Sequence, residues 1–353
     1  MMTSIFEDVF KNKPSIKELH DLHGDKIFKN KKELNILVGK ILSGQSQKSN
    51  IKCMHLTCDQ PPIGSHSIQK AKLKLISDSK NEVYYFKSSY KHLEKPIPKI
   101  DKINIASASV FPGFCGVHDK ELFQIIEDNE IDPNNKHHTS LLVYRALAKS
   151  IIDCEQIVNH YKLLFNEIRP KEISDDLNLA LLVDNYLQIV NLTHLQNRFK
   201  NLSLDIILKQ FTATDIETIS IEIPNLLSIA SVSHIQPKEL LGKIESIQSE
   251  RPSIYLTILP KNENKTLLIA SYHMDKSTDI KPYLHKILSE NNIDFPELSK
   301  MLLSSTDNLM ISPKYWETLS EEEKAGISEY YSYSTFFNDA EFNPITHQII
   351  KPI

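Results

Sequence analysis

Apolar residues recur at helical spacing through much of this chain, and where that rhythm stops they gather into β-branched runs. Ile16, Leu19 and Leu22, then Leu34, Ile36, Leu37 and Ile41, predict two short helices separated at Gly24. Val83–Phe86 predicts a strand, and Leu122, Ile125 and Ile126 predict a helix after Cys115. Between them lies an extended linker carrying Pro96 and Pro98. From Thr139 the pattern is helical through two long runs, one with Leu142, Tyr144, Leu147 and Ile151, the other with Leu177, Leu181, Val183, Leu187, Val190 and Leu195. Pro170 separates them. Thr218–Ile223, Leu227–Val232, Ile254–Leu259 and Leu267–Tyr272 then predict a small antiparallel sheet. The last sixty or so residues read as short helices, with Ser320 and Glu323 forming a capping box.

These elements define an α+β chain in four segments: an N-terminal helical segment at 1–50, a motif-bearing block at 51–138, a helical region at 139–202 and an α+β C-terminal domain at 203–353. No internal repeat at a fixed period is visible.

Composition adds little until it is divided along the chain. With 41% apolar and 24% charged residues this is ordinary globular material. The first residues lack the long apolar core of a signal peptide, and no run of roughly 18 apolar residues suggests a spanning helix, so a cytoplasmic protein with no membrane association is expected. The net charge of -4 conceals an asymmetry. Residues 1–102 hold 19 Lys against 11 Asp and Glu, about +8, and the remainder is about -12. A basic segment beside an acidic body can attract a polyanion, or simply present a lysine-rich surface. Only four residues are Arg, which argues against bidentate base reading. With 8 Gly in all and no Gly-x-x-x-x-Gly-Lys or Gly-x-Ser-x-Gly segment, nucleotide loops and a serine-hydrolase elbow are excluded.

Three of the four cysteines fall in the motif block. Cys53-x4-Cys58 places two thiolates around a tight loop, and Cys115-x2-His118 places a thiolate and an imidazole one turn apart at a helix start. Together they supply the four ligands of a closed tetrahedral Zn2+ site. His55 is a second-choice ligand, and Cys154, among Ile151, Ile152 and Ile157, reads as a core thiol. His137 and His138 read as solvated loop histidines before an N-cap at Thr139, and Trp316 as an anchor for a terminal helix.

The segments Cys53-Met-His-Leu-Thr-Cys58, Gly64-Ser-His-Ser-Ile-Gln69 and Phe114-Cys-Gly-Val-His-Asp119 resemble the treble-clef form of the HNH nuclease family in ligand types and order. The resemblance covers residues 53 to 128 and implies a zinc knuckle, a hairpin and a helix. It puts His66 in the place of the general base and Asp119 in the place of the residue that holds a catalytic Mg2+ or Mn2+. A base of near-neutral pKa and a hard cation suit phosphodiester hydrolysis, and a carboxylate suits Mg2+. Ser65 stands where the family commonly carries Asp or His, and the middle Asn of the family has no clear counterpart: Asn104 precedes Cys115 by a plausible distance, but Ser107 and Ser109 lie closer. Lys70, Lys72 and Lys74 follow His66 directly and are the expected phosphate contacts, although their alternation with Ala71, Leu73 and Leu75 also describes an exposed strand face. Glu127, two turns after Asp119, is either a supporting residue or solvent-exposed.

The broader pattern, running on to Tyr144-Arg-Ala-Leu147, is similar to bacterial proteins of antiviral defence. The expectation is therefore a metal-dependent endonuclease acting on nucleic acid, DNA rather than RNA, with a structural zinc ion. The other reading is a non-catalytic, zinc-stabilised module that binds nucleic acid or protein. In either case the helical and C-terminal regions are free to bind a protein partner or a second copy.

Overall fold

The computed structural model describes residues 52–87, 99–168, 176–241, 252–289, 292–306, 308–336 and 347–353. The expected helices of the first fifty residues and the linker with Pro96 and Pro98 lie outside them. In chain order the elements are β1 (Gly64–His66), α1 (Lys70–Ile76), β2 (Glu82–Lys87), β3 (Lys99–Asn104), β4 (Val110–Pro112), α2 (Gly116–Glu127), α3 (Lys136–Ile168) and α4 (Asp176–Leu208). There follow β5 (Ile216–Ile223), β6 (Ile229–Ile235), α5 (Lys238–Leu241), β7 (Ile254–Asn262), β8 (Lys265–His273) and α6 (Ser277–Ile287). The chain closes with the short pair β9 (Leu288–Ser289) and β10 (Asn292–Ile293), then α7 (Phe295–Ser305), β11 (Leu309–Ile311), α8 (Pro313–Trp316) and α9 (Glu321–Phe336).

The fold is α+β around one antiparallel sheet of seven strands in the order β3-β2-β11-β6-β7-β8-β5. It is larger than the sequence suggests, because β2 and β3 of the motif block and the three-residue β11 join the four C-terminal strands. Met310 of β11 lies opposite Tyr85 of β2 on one side and Ala230 of β6 on the other. Segments 51–138 and 203–353 therefore share a sheet.

Both faces of that sheet are covered, which explains why β6, β7 and β8 are buried at nearly every position. Side chains alternate across a strand. Tyr255 and Leu259 of β7 and Leu267 and Ile269 of β8 enter one core with Val83, Phe114, Phe123 and the α3 residues Tyr144, Leu147 and Ile151. Leu256, Ile258, Leu268 and Ala270 enter the other, against Leu284 of α6, Leu302 of α7 and Ile327 of α9. Trp316 is buried in this second core beside Tyr84, consistent with an anchor. The capping box is present: Glu323 N–H donates to Ser320 Oγ at 3.2 Å, and Ser320 N–H to Glu323 Oε2 at 2.8 Å. Among the described residues no helix is long and apolar enough to cross a membrane.

Two local expectations are corrected. Lys70, Lys72 and Lys74 sit on a helix, α1, and not on a strand. Positions two apart then point in different directions, so Lys70 and Lys74 are exposed while Lys72 is half-buried. His137 and His138 lie in the first turn of α3, which Asn135 caps by accepting from the His137 N–H at 2.9 Å. His138 is buried, and its Nδ1 accepts from the Asp132 N–H at 3.0 Å. A histidine satisfied by loop backbone in this way leaves solvent at little cost.

Candidate metal centre

The knuckle is closed by its own backbone. Cys53 N–H donates to Gln60 O at 2.9 Å and Cys58 N–H to His55 O at 3.0 Å, so the two thiols are turned to one side of a tight loop. The knuckle is fixed to the start of α2 through Met54 N–H on Gly113 O, 2.9 Å, and Ile63 N–H on Phe114 O, 2.7 Å. Gly113 allows this approach, since a Cβ there would stand 2.4 Å from the Phe111 ring. β1 and β4 pair antiparallel with Gly64 opposite Pro112 and His66 opposite Val110, which delivers the chain to Cys115 at the head of α2.

Cys53, Cys58, Cys115 and His118 converge, their ligand atoms all within 4.8 Å of one another. Cys58 Sγ and Cys115 Sγ are 3.8 Å apart, and His118 Nδ1 lies 3.5 Å from Cys53 Sγ and 3.3 Å from Cys115 Sγ. A tetrahedron with Zn–S and Zn–N bonds of ordinary length has S to S edges of about 3.8 Å and S to N edges of about 3.6 Å. The donor set and its spacing thus fit a metal ion such as zinc. Other features support the same use. The Cys115 thiol is lowered to about 7, chiefly by the backbone N–H of His118, with a further contribution from the Val117 N–H, because the first turn of α2 offers free donors to a thiolate. Cys53 Sγ accepts from the Cys115 N–H at 3.3 Å. His55 is not in the cluster. Its ring stacks on that of His118, with centroids 3.8 Å apart, and holds the imidazole from the outside. Cys154 is buried in the first core, as a core thiol should be.

His66 and Asp119 are carried by the two elements that the cluster ties together, β1 and the first turn of α2. His66 Nε2 is buried and has no hydrogen-bond partner among the described residues. Asp119 is half-buried, and its carboxylate accepts no hydrogen bond among them. Ser65, on the opposite face of β1 from His66, is buried with its Oγ accepting from the Phe114 N–H at 3.2 Å. Asn104 stands away from the hairpin, capping a turn by accepting from the Ala106 N–H at 3.0 Å and donating to Lys80 O.

Of the three lysines, Lys70 and Lys74 line an open groove of about 460 Å3 with Asn81 and Asn104. Lys72 instead donates to the carbonyl of Lys261 on β7 at 3.2 Å, and burial lowers its pKa. Lys72 is thus removed from the predicted phosphate contacts.

Arg145 belongs to this region although no metal or catalytic motif in the sequence marks it. It is 2% exposed, its Nη2 donates to Glu127 Oε1 at 2.5 Å, and its guanidinium carbon lies 4.0 Å from the centre of the Phe123 ring. Asp119, Phe123 and Glu127 are one face of α2 at i, i+4 and i+8, so Arg145 lies along a stripe with a carboxylate at each end. Burial lowers the Arg145 pKa, while Glu127 and, through space, Asp119 oppose it. Glu127 is therefore the partner of a buried cation. The spacing of the stripe was visible in the sequence, but its partner on α3 was not.

Compared with family models, curated proteins and solved structures, the chain matches none.

Proposed function

We propose that this chain is a metal-dependent endonuclease of the HNH type, with a structural zinc ion at Cys53, Cys58, Cys115 and His118. The observation that carries the reading is the buried, unpaired Nε2 of His66 on a hairpin fixed beside the Cys3His cluster. An imidazole nitrogen in that state carries the cost of an unmade hydrogen bond and is expected to take a water or a ligand. In this reading His66 accepts the proton of the attacking water as its oxygen bonds to phosphorus, and the leaving sugar oxygen departs with a proton from solvent. Asp119 would hold a Mg2+ or Mn2+ ion, which supplies charge stabilisation on the phosphate. Lys70 and Lys74 contact the backbone of the nucleic acid, DNA rather than RNA. The role that the resemblance implies is that of an effector in bacterial antiviral defence, with α3, α4 and the C-terminal elements available to a partner or a second copy.

One observation favours the non-catalytic module instead. The Ser65 hydroxyl is buried on the face of β1 opposite His66 and accepts from the Phe114 N–H, so it is turned away from a cation beside His66. Incubation of the zinc-loaded protein with plasmid and with Mg2+ or Mn2+ separates the two. The nuclease reading expects cleavage that disappears in His66→Ala while zinc stays at one per chain. Cleavage that survives in His66→Ala overturns the assignment of the base, and zinc binding with no cleavage by the parent protein favours the binding module.

A further inference from the structure

We infer that Asn308, 241 residues from its partner in the hairpin, is a positioning residue for His66. The inference rests on the nuclease reading for its consequence in catalysis, and on geometry for the contact itself.

β1 is three residues long and pairs only with the three-residue β4. A two-stranded ribbon of that size is marginal alone, so something outside it must hold the direction in which His66 projects. The tie is made one residue on. Ser67 donates to Ser109 O twice, from its N–H at 3.0 Å and its Oγ at 3.0 Å. Ile68 N–H donates to Ser109 Oγ at 3.1 Å. Ser109 adopts a φ of 57° just before Val110, the residue opposite His66. The two residues that follow His66 are thus bolted to the residue that precedes its cross-strand neighbour.

Asn308 connects this bolt to the main sheet. One N–H of its amide donates to Ser67 Oγ at 2.9 Å, and the amide nitrogen also donates to Val232 O on β6. Its backbone carbonyl accepts from Ser231 Oγ at 3.0 Å, and its backbone N–H donates to Thr306 Oγ1 at 3.0 Å. Ser67 and Asn308 are almost completely buried. The orientation of the amide is determined, because the Val232 carbonyl can only accept and therefore faces the nitrogen. The amide oxygen is buried without a partner among the described residues. Asn308 thus presents both its amide donors to the two elements at the expense of its own acceptor. A shorter polar residue here would not reach both, and an apolar one would leave Ser67 without its donor.

The experiment uses the full chain, zinc-loaded, as Asn308→Ala, Ser67→Ala and the double variant. The expected result is a fall in kcat of about tenfold or more with KM within about twofold, since a small misplacement of a catalytic group is felt in the chemical step. Zinc remains at one per chain, and the double variant loses less than the product of the two single losses, because the bond between Asn308 and Ser67 is removed in both. Losses that multiply, or a kcat that falls only in proportion to the folded fraction, overturn the inference. If Asn308→Ala does not fold, Ser67→Ala carries the kinetic test. If the parent protein cleaves nothing, the nuclease reading fails separately, and the His66 ring signals of 13C-labelled protein decide the contact. Displaced or broadened His66 signals in Asn308→Ala, or in Ser67→Ala if that is the variant that folds, support it. An unchanged spectrum overturns it.

Discussion

Replacing Glu127 with Ala removes the only bonded ionic partner that Arg145 has among the described residues, and leaves a guanidinium 2% exposed against the face of Phe123. Breaking a buried pair from one side typically costs about 3–5 kcal/mol, because the remaining charge is left uncompensated. Glu127 is itself 38% exposed, so its removal admits water toward the guanidinium and Asp119 still attracts it through space. Both effects place the cost below that range, at about 2–3 kcal/mol, which corresponds to a fall in Tm of about 3–4 °C in a chain of this size.

The double variant Arg145→Met/Glu127→Ala separates the cost of the unpaired charge from the loss of a contact. It removes the buried charge together with its partner, and Met lays a polarizable side chain over Phe123 in place of the guanidinium. The lost cation–π contact is worth about 2 kcal/mol in a desolvated setting, whereas the desolvation of Arg145, several kcal/mol for a buried ion, no longer has to be offset. The double variant is therefore expected to be more stable than Glu127→Ala alone. Urea and thermal unfolding of zinc-loaded protein measure both. A double variant less stable than the single one would refute the argument, and would show that the pair contributes net stability beyond its desolvation cost.

Two further outcomes follow from other groups. Atomic absorption should find one zinc per chain, reduced to a small fraction in Cys58→Ser and unchanged in Cys154→Ser, whose thiol lies in the core and outside the cluster; equal loss in both variants would contradict the ligand set. His234, between Phe199 and Tyr255, is pushed down to about 3 by burial and by Arg198. Above about pH 6.5 the folded and unfolded chains are both neutral at this site. As the pH falls below that value the unfolded chain gains a proton the folded one refuses, so stability is lost toward pH 3 at no more than about 1.4 kcal/mol per pH unit. His234 as a residue is half-buried and not sealed from solvent, which reduces the slope. His234→Gln should lose less Tm between pH 6.5 and 4.5 than the parent protein, and an identical acid limb would show that His234 is not its source.

Strands β7 and β8 were legible in the sequence because burial on both faces gives them long apolar runs, and β5, at the sheet edge, because its Ile residues alternate with polar ones. β11 was not, since Leu309–Ile311 is too short to show any period, and its place in the sheet comes from pairing on both sides. β3, Lys-Ile-Asp-Lys-Ile-Asn, is an edge strand with polar residues on its outer positions, and it hides among the lysines of its segment. At α1 the alternation of Lys with Ala and Leu over six residues fits a strand as well as a helix, and only tertiary packing of Leu73 and Ile76 decides between them. The four cluster ligands could be read from residue type and spacing alone, as could the capping box, because both are local codes. The Arg145–Glu127 pair and the Asn308–Ser67 bond could not, because nothing in a single sequence marks which polar residue meets which across a fold.

The order of elements between the cluster ligands bears on what the metal does for the protein. Cys58 and Cys115 are 57 positions apart, and the chain between them holds α1, β2 and β3 as well as the hairpin. Closing a loop of that length has a substantial entropic cost in a free chain. Here β2 meets that cost independently of any metal, since it is held by β3 on one side and by β11 on the other. Val83 and Phe86 of β2 also enter the two separate cores. The ends of the intervening segment are therefore brought near one another by the sheet. What the sheet does not fix is the local unit of knuckle, β1, β4 and the head of α2, whose own backbone pairing is short. A metal at the cluster is thus expected to order the unit that carries His66 and Asp119 more than it stabilises the body of the fold. The same argument assigns Asn308 its importance, because it is a protein-made tie from that body to the same unit.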